Sequence, residues 1–172
     1  EVKDFTDFEK HKKYLEGTGS MVLDREHKIC YAAISIRTDE TIVIEFCKEF
    51  GYRPIIFRAN QDVNGDRMAI YHTNVMMCIA DKFAVICLDT IDDETEREYV
   101  IEPLTETGKE IIEITEEQKH RFAGNMLQVI GEKPYIVMSN SAFTSLTDQQ
   151  KTAIEKHCPI MHITLDTIEA CG

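Results

Sequence analysis

Positive charge is scarce in this chain. Only 19 Lys and Arg stand against 31 Asp and Glu, a formal net charge of -12 over 172 residues. Such a surface repels phosphates instead of neutralising them, which argues against nucleic acid as a partner. Long apolar runs are missing too: no stretch approaches the ~20 residues that a membrane span requires, so no membrane partner is expected. No basic head followed by an apolar middle marks a secretory leader. C-x-x-C pairs are absent. The six cysteines are Cys30, Cys47, Cys78, Cys87, Cys158 and Cys171, most of them inside apolar runs such as "VICL" and "MMCI". A free thiol there behaves as a small hydrophobe, and the expected setting is a reducing cytoplasm. A metal-ligand cluster is likewise missing. His157, Cys158 and His162 are close in sequence, but adjacent ligands on regular structure point apart and no second cluster completes four ligands, so no metal is expected.

What is present suffices for a core: 43% of the residues are hydrophobic and 29% charged, the balance of one soluble domain or part of a larger one. The chain opens on Glu1 without a methionine and stops at Gly172, and the expectation is an excised piece of a longer protein.

Order and spacing reveal a repeated unit. "MVLDREHKICYAAIS" (21–35) reads as two strands joined by a charged turn. A helix over 39–50 follows, with Ile42, Phe46 and Phe50 on one face and Gly51 as its stop, and "RPIIFRA" is then a strand with its proline at the start. The second unit begins with "NVMMCIADKFAVICLDTI" (74–91), two strands around "ADK". A charged, partly helical stretch runs to Gly108, and "KEIIEIT" is its closing strand. The third is the hairpin "NMLQVIGEKPYIVMS", turning at "GEKP". A helix over 148–157 follows, capped by Thr147, and "PIMHITL" ends the unit. Strand–strand–helix–strand thus recurs about every 50 residues, over approximately 16–60, 68–115 and 120–166. Alternating strands and helices favour an α/β architecture, and repeated units that lack a complete core of their own favour a ring or propeller.

A polar group stands at the head of each unit: Glu16, His72 and Asn125, 56 and 53 positions apart. In a pseudo-symmetric ring such equivalent positions converge on one central axis. A fourth would fall near residue ~178 by the same period. Each also has an ordinary reading. Glu16 is a solvated carboxylate if "FEKHKKYLEG" is a helix stopped by Gly17, His72 a strand-end histidine, and Asn125 a turn residue after Gly124. Their common register is what favours a site.

At these residues "LEGTGSMVLD", "SIRTDE", "IYHTNVMMCIADKFAVICLDTI", "FAGNMLQV" and "LDTIEACG" resemble, in order, the amidinotransferase-like branch of the pentein superfamily. That branch includes citrulline-utilisation hydrolases and relatives of dimethylarginine dimethylaminohydrolase and arginine deiminase. The resemblance runs from Leu15 onward. It implies a pentein-type α/β propeller, with about three of five units present. It also implies cysteine-dependent hydrolysis at the carbon of a guanidinium or ureido group in an arginine-like or citrulline-like amino acid, with no cofactor. By position, His72 matches the general acid/base and Glu16 the acidic residue that steadies it. Arg37 matches the arginine that holds the substrate carboxylate, and Asn125 a polar residue lining the pocket.

Two departures bear on this. Arginine deiminases carry an aspartate two residues after the histidine, where this chain has Asn74; an amide suits a neutral ureido group better than a cation. The family's nucleophilic cysteine lies in a Gly-Gly-Gly-Ser-x-Arg-Cys segment after the "DTIE" strand, and Cys171 in "DTIEACG" is too early to be it. These 172 residues alone are therefore expected to be inactive, and raw propeller flanks are expected to drive self-association. Transfer to an amine acceptor and a non-enzymatic binding scaffold are the alternatives.

Overall fold

A 3-10 turn (Thr6–His11) and one short helical turn (α1, Gly17–Ser20) lead into an antiparallel hairpin of Val22–Asp24 (β1) and Ile29–Ala33 (β2). The computed structural model describes residues 3–170. The turn between β1 and β2 is set by Asp24, whose buried carboxylate accepts the backbone N–H of His27 at 3.0 Å, the local bond that lets aspartate nucleate turns. Gly17 (φ +51°) opens α1 and does not close a helix before it. The continuous helix expected over 8–17 is therefore absent.

The chain divides into two compact units: residues up to Asn74 with Thr90–Glu102, and Val75–Asp89 with Pro103 onward. In the first, helix Glu40–Phe50 (α2) is capped by Asp39, which accepts the Thr41 N–H, and is stopped by Gly51 at φ +70°. Strand Arg53–Phe57 (β3) then pairs parallel to β2, giving the sheet order β1-β2-β3. The expected apolar face of α2 is displaced. Ile42, Val43 and Cys47 are buried, whereas Phe50 is 45% exposed. The reason lies in the sheet: Cys30 and Ala32 on β2 are small, so the helix approaches closely through Val43 and Cys47. The larger rings are left at the margin, where Phe46 packs against Phe50 and Tyr52 with centroids 4.8 and 5.9 Å away. A further hairpin, Asn60–Val63 (β4) and Asp66–Ala69 (β5), turns at Asn64-Gly65, both at positive φ, as tight hairpin turns require. Asp92 anchors it, accepting from Arg67 Nη2 and Asn60 Nδ2 at 2.6 Å each.

In the second unit Met77–Ile79 (β6) and Phe83–Ile86 (β7) form a hairpin. Helix Glu94–Glu106 (α3) crosses the division between the units at Pro103 and gives way to Gly108 (φ +71°) and the strand Glu110–Glu113 (β8), parallel to β7. Helix Glu116–His120 (α4) precedes the hairpin Leu127–Ile130 (β9) and Pro134–Ser139 (β10). Helices Asn140–Ser145 (α5) and Asp148–Glu155 (α6) then lead to Ile160–Ile163 (β11), parallel to β10. Residues 166–169, expected in a strand, form a helical turn (α7, Asp166–Glu169). Thr147 caps α6 as expected, in a capping box with Gln150. The same box recurs at α4, and the Gln118 and Gln150 amides bond each other reciprocally at 2.7 and 3.0 Å.

Three sheets therefore share one topology, an antiparallel hairpin with a third strand parallel to its second member. The architecture is α/β. Every residue of β2 and of β7 is buried, which is why those strands read as unbroken apolar runs with no alternation.

Candidate active site

Glu16, Gly19 and Tyr71, which meet the His72 ring, belong with it to the first unit. The imidazole Nε2 lies 2.7 Å from Glu16 Oε2, the histidine 19% and the glutamate 45% exposed. Glu16 stands at the mouth of α1, where the Gly17 turn redirects the chain. Its own N–H is held by Ser20 Oγ at 3.0 Å and the Arg37 carbonyl at 3.3 Å. The Ser20 hydroxyl in turn donates to that Arg37 carbonyl at 2.8 Å. Backbone geometry, not the flexible side chain alone, thus decides where the carboxylate stands.

Arg37 closes the group from a third segment. Its Nη1 is 3.6 Å from Glu16 Oε2, and its guanidinium lies 5.4 Å from the Tyr71 ring centroid, within cation–π range. Tyr71 also meets the His72 ring, centroids 5.1 Å apart. The loop carrying Arg37 is tied down by Ser35, whose hydroxyl donates to the Tyr71 carbonyl at 2.8 Å and accepts the Arg37 N–H at 3.1 Å. A carboxylate, an imidazole and a guanidinium therefore share one partly exposed surface. Such a set has the groups needed to hold a proton at Nε2 and to keep the imidazole oriented.

The family described as N,N dimethylarginine dimethylhydrolase, eukaryotic, has a model that matches residues 1–172. The chain belongs to this family. No curated protein matches the sequence. Among solved structures, the chain is similar to the N-terminal domain of ArgZ bound to substrate, an arginine dihydrolase of the ornithine-ammonia cycle in Cyanobacteria: 19% identity over 92% of this chain and 53% of that one, TM-score 0.69. It is also similar to AgrE in complex with L-arginine (17% identity, 92% of this chain, 22% of that one, TM-score 0.70). A third neighbour is the C. jejuni agmatine deiminase with substrate bound (14%, 88% and 51%, TM-score 0.50). These likenesses show the fold, and together with the family match they place the chain in the pentein superfamily. The chain spans about half the length of the ArgZ domain and about a fifth of AgrE.

Within this dimethylarginine dimethylhydrolase family chain, the remaining sequence candidates stand as follows. Asn74, half buried, follows Thr73 in the 3-10 turn Thr73–Val75. Asn125 belongs to the second unit, where it is exposed and donates its N–H to the Phe122 carbonyl at 2.9 Å. Gly124 before it packs on the backbone of Val75 and Met76. Cys30, Cys47, Cys78, Cys87 and Cys158 are all buried free thiols. Burial pushes Cys78 up to about 12 and raises Cys30, Cys47 and Cys158 as well, so none of these four is a competent nucleophile near neutral pH. Cys171 lies outside the described residues. Among the described residues, no three His, Cys, Asp or Glu side chains are grouped to hold a metal, and no helix is long and apolar enough to cross a membrane.

Sequence reasoning missed Gly19, Ser20, Ser35, Tyr71 and Thr73. Only Gly19 carried a signal, as the second glycine of "EGTGS"; small hydroxyl residues look like any loop residue until their partners are known.

Proposed function

We propose that this chain is the acid/base part of a cysteine-dependent hydrolase that acts on the guanidino or ureido group of an arginine-like or citrulline-like amino acid. The observation that carries the reading is the 2.7 Å imidazole–carboxylate contact between His72 and Glu16 in a chain of the dimethylarginine dimethylhydrolase family. In the complete enzyme a thiolate from a segment outside these residues attacks the planar central carbon of the substrate. His72, as imidazolium, donates its proton to the departing amine, leaving an S-linked intermediate. Neutral His72 then takes a proton from water as the water oxygen bonds to that carbon, and the carbon–sulfur bond breaks to return the thiolate. Glu16 keeps the ring oriented through the 2.7 Å contact. Arg37 pairs with the substrate α-carboxylate, for which a guanidinium fork is suited. Asn74 offers donor and acceptor faces to the substrate nitrogens and oxygen. An amine acceptor in place of water would make the same machinery an amidinotransferase.

The test is release of dimethylamine, ammonia or ornithine from dimethylarginine, arginine and citrulline. No release is expected from the 172-residue chain, whose described thiols are all buried. A form extended to bring its nucleophile is expected to turn over one of them. His72→Ala is expected to lower that rate by about 10²- to 10⁴-fold. Turnover by the short chain, or full activity of the histidine variant, rejects the reading.

A further inference from the structure

We propose that Thr73 is a positioning residue for the His72–Glu16 pair, through a hydroxyl that fastens the histidine segment to the glutamate turn. The inference rests on the reading of that pair as acid/base machinery. Thr73 Oγ1 donates to the Ser20 carbonyl at 2.6 Å and accepts the Ala33 N–H at 2.8 Å. Thr73, Ser20 and Ala33 are each fully buried. One hydroxyl, with a single hydrogen to give and lone pairs to receive, thereby joins three strands of chain: the end of α1, the end of β2, and the segment that carries His72.

Its placement makes it more than a core hydrogen bond. Thr73 follows His72 directly, while Ser20 follows Gly19, whose position lies against the imidazole. The Ser20 side chain holds the Glu16 N–H at 3.0 Å. The two ends of the 2.7 Å contact are therefore linked by two consecutive hydroxyls, Thr73 to the Ser20 carbonyl and Ser20 to the Glu16 amide. The Glu16 and His72 side chains are both partly exposed, so solvent competes for each of them. A buried brace behind them decides whether they stay within bonding distance, and proton transfer is sensitive to displacements of about 1 Å.

Nuclear magnetic resonance of the 172-residue chain tests this without requiring turnover. The wild-type His72 Nε2–H proton, bonded to Glu16, should give a downfield, slowly exchanging signal that Glu16→Gln displaces. Thr73→Val deletes the hydroxyl at constant shape and should abolish or broaden that signal, whereas Thr73→Ser should restore it. Ser139→Ala removes a buried helix cap in the second unit; it should lower thermal stability while leaving the signal in place. If the valine variant does not fold, Thr73→Cys, a weak donor of similar size, takes its place. A signal unchanged in Thr73→Val or Thr73→Cys, despite lowered stability, overturns the proposal. Because the readout is geometric, it separates from the product-release assay, whose failure would instead remove the enzymatic role.

Discussion

Gly19 lies so close to His72 that a β-carbon on it would stand 2.8 Å from both Nδ1 and Cε1 of the imidazole. Real β-carbons do not come that near, and the backbone of α1 cannot retreat without dragging Glu16 with it. Gly19→Ala is therefore expected to displace the ring from its carboxylate. If the proposed function holds, the rate of the extended form should fall by about 10²-fold, the cost of misplacing a reacting group by about 1 Å. Gly17→Ala, with nothing within 4 Å but φ at +51°, should cost about 1 kcal/mol of stability and leave the His72 signal intact. Activity unchanged by Gly19→Ala would show that the close approach is incidental.

A second glycine is required by backbone, not by a side chain. A β-carbon at Gly124 would run into the Val75 carbonyl oxygen and stand 2.8 Å from the Met76 carbonyl carbon. Backbone inside a unit has no rotamer to change. Gly124→Ala should lower the urea midpoint of the protein, a loss of about 1–3 kcal/mol in unfolding free energy, the usual cost of overpacking. An unchanged midpoint would mean that the 124–126 turn moves freely.

Burial of the Cys78 thiol predicts an alkaline limit. Its ordinary value is 9.0, and in the fold it is pushed up to about 12. Below 9.0 the thiol is protonated in both states and its contribution to stability is fully present. Above 9.0 the unfolded chain releases the proton while the folded one keeps it, so stability falls as pH rises toward 12. Cys78→Ala should flatten the decline in chemical stability between pH 9 and 11, as followed by urea titration. Peptide mapping after iodoacetamide treatment at pH 8 should find Cys78 unmodified in the native protein and alkylated in urea.

At the other end of the scale, Glu110 accepts from Lys156 Nζ at 2.7 Å and contacts His157 Nε2 at 2.8 Å. The bond from Lys156 first, and that with His157 second, hold its carboxyl below the ordinary 4.5. A lowered carboxyl contributes stability above its unfolded value and loses it as pH falls through the folded one. Because Glu110 is about a third exposed, Glu110→Gln should cost less than about 1 kcal/mol at pH 7. The gap between variant and wild type should close as pH drops below 4.5. A gap that persists in acid would point to packing, not charge.

The elements that a sequence announces by local means are the ones found where they were read. Asp39 and Gly51 bracket α2, Thr147 caps α6, and the two apolar runs around "ADK" pair as β6 and β7. Each depends on a residue's own conformational preference or on a short-range hydrogen bond. The hairpin β4–β5, rich in polar residues, escaped a reading based on apolar runs, although Asn64-Gly65 marks its turn. On α2, Ile42 and Phe46 face the core as read, but Val43 and Cys47 replace Phe50 there, because burial is decided by small residues on the partner sheet, Cys30 and Ala32, which lie outside the helix. At the site, the spacing of "EGTG" and "YHTN" drew attention to Glu16 and His72. Ser20, Ser35 and Thr73 gave no comparable sign, since a hydroxyl's role depends on which distant carbonyl it meets.

Sequence by itself determined the repeated strand–strand–helix–strand order, the buried strands, the caps and the identity of the groups able to handle protons, because these follow from side-chain chemistry and periods of a few residues. Tertiary structure alone decided that a carboxylate at position 16 and an imidazole at position 72 meet at 2.7 Å, and that buried hydroxyls hold the segments behind them. Contacts between residues more than fifty positions apart are set by how sheets and turns pack, and no local preference encodes that distance.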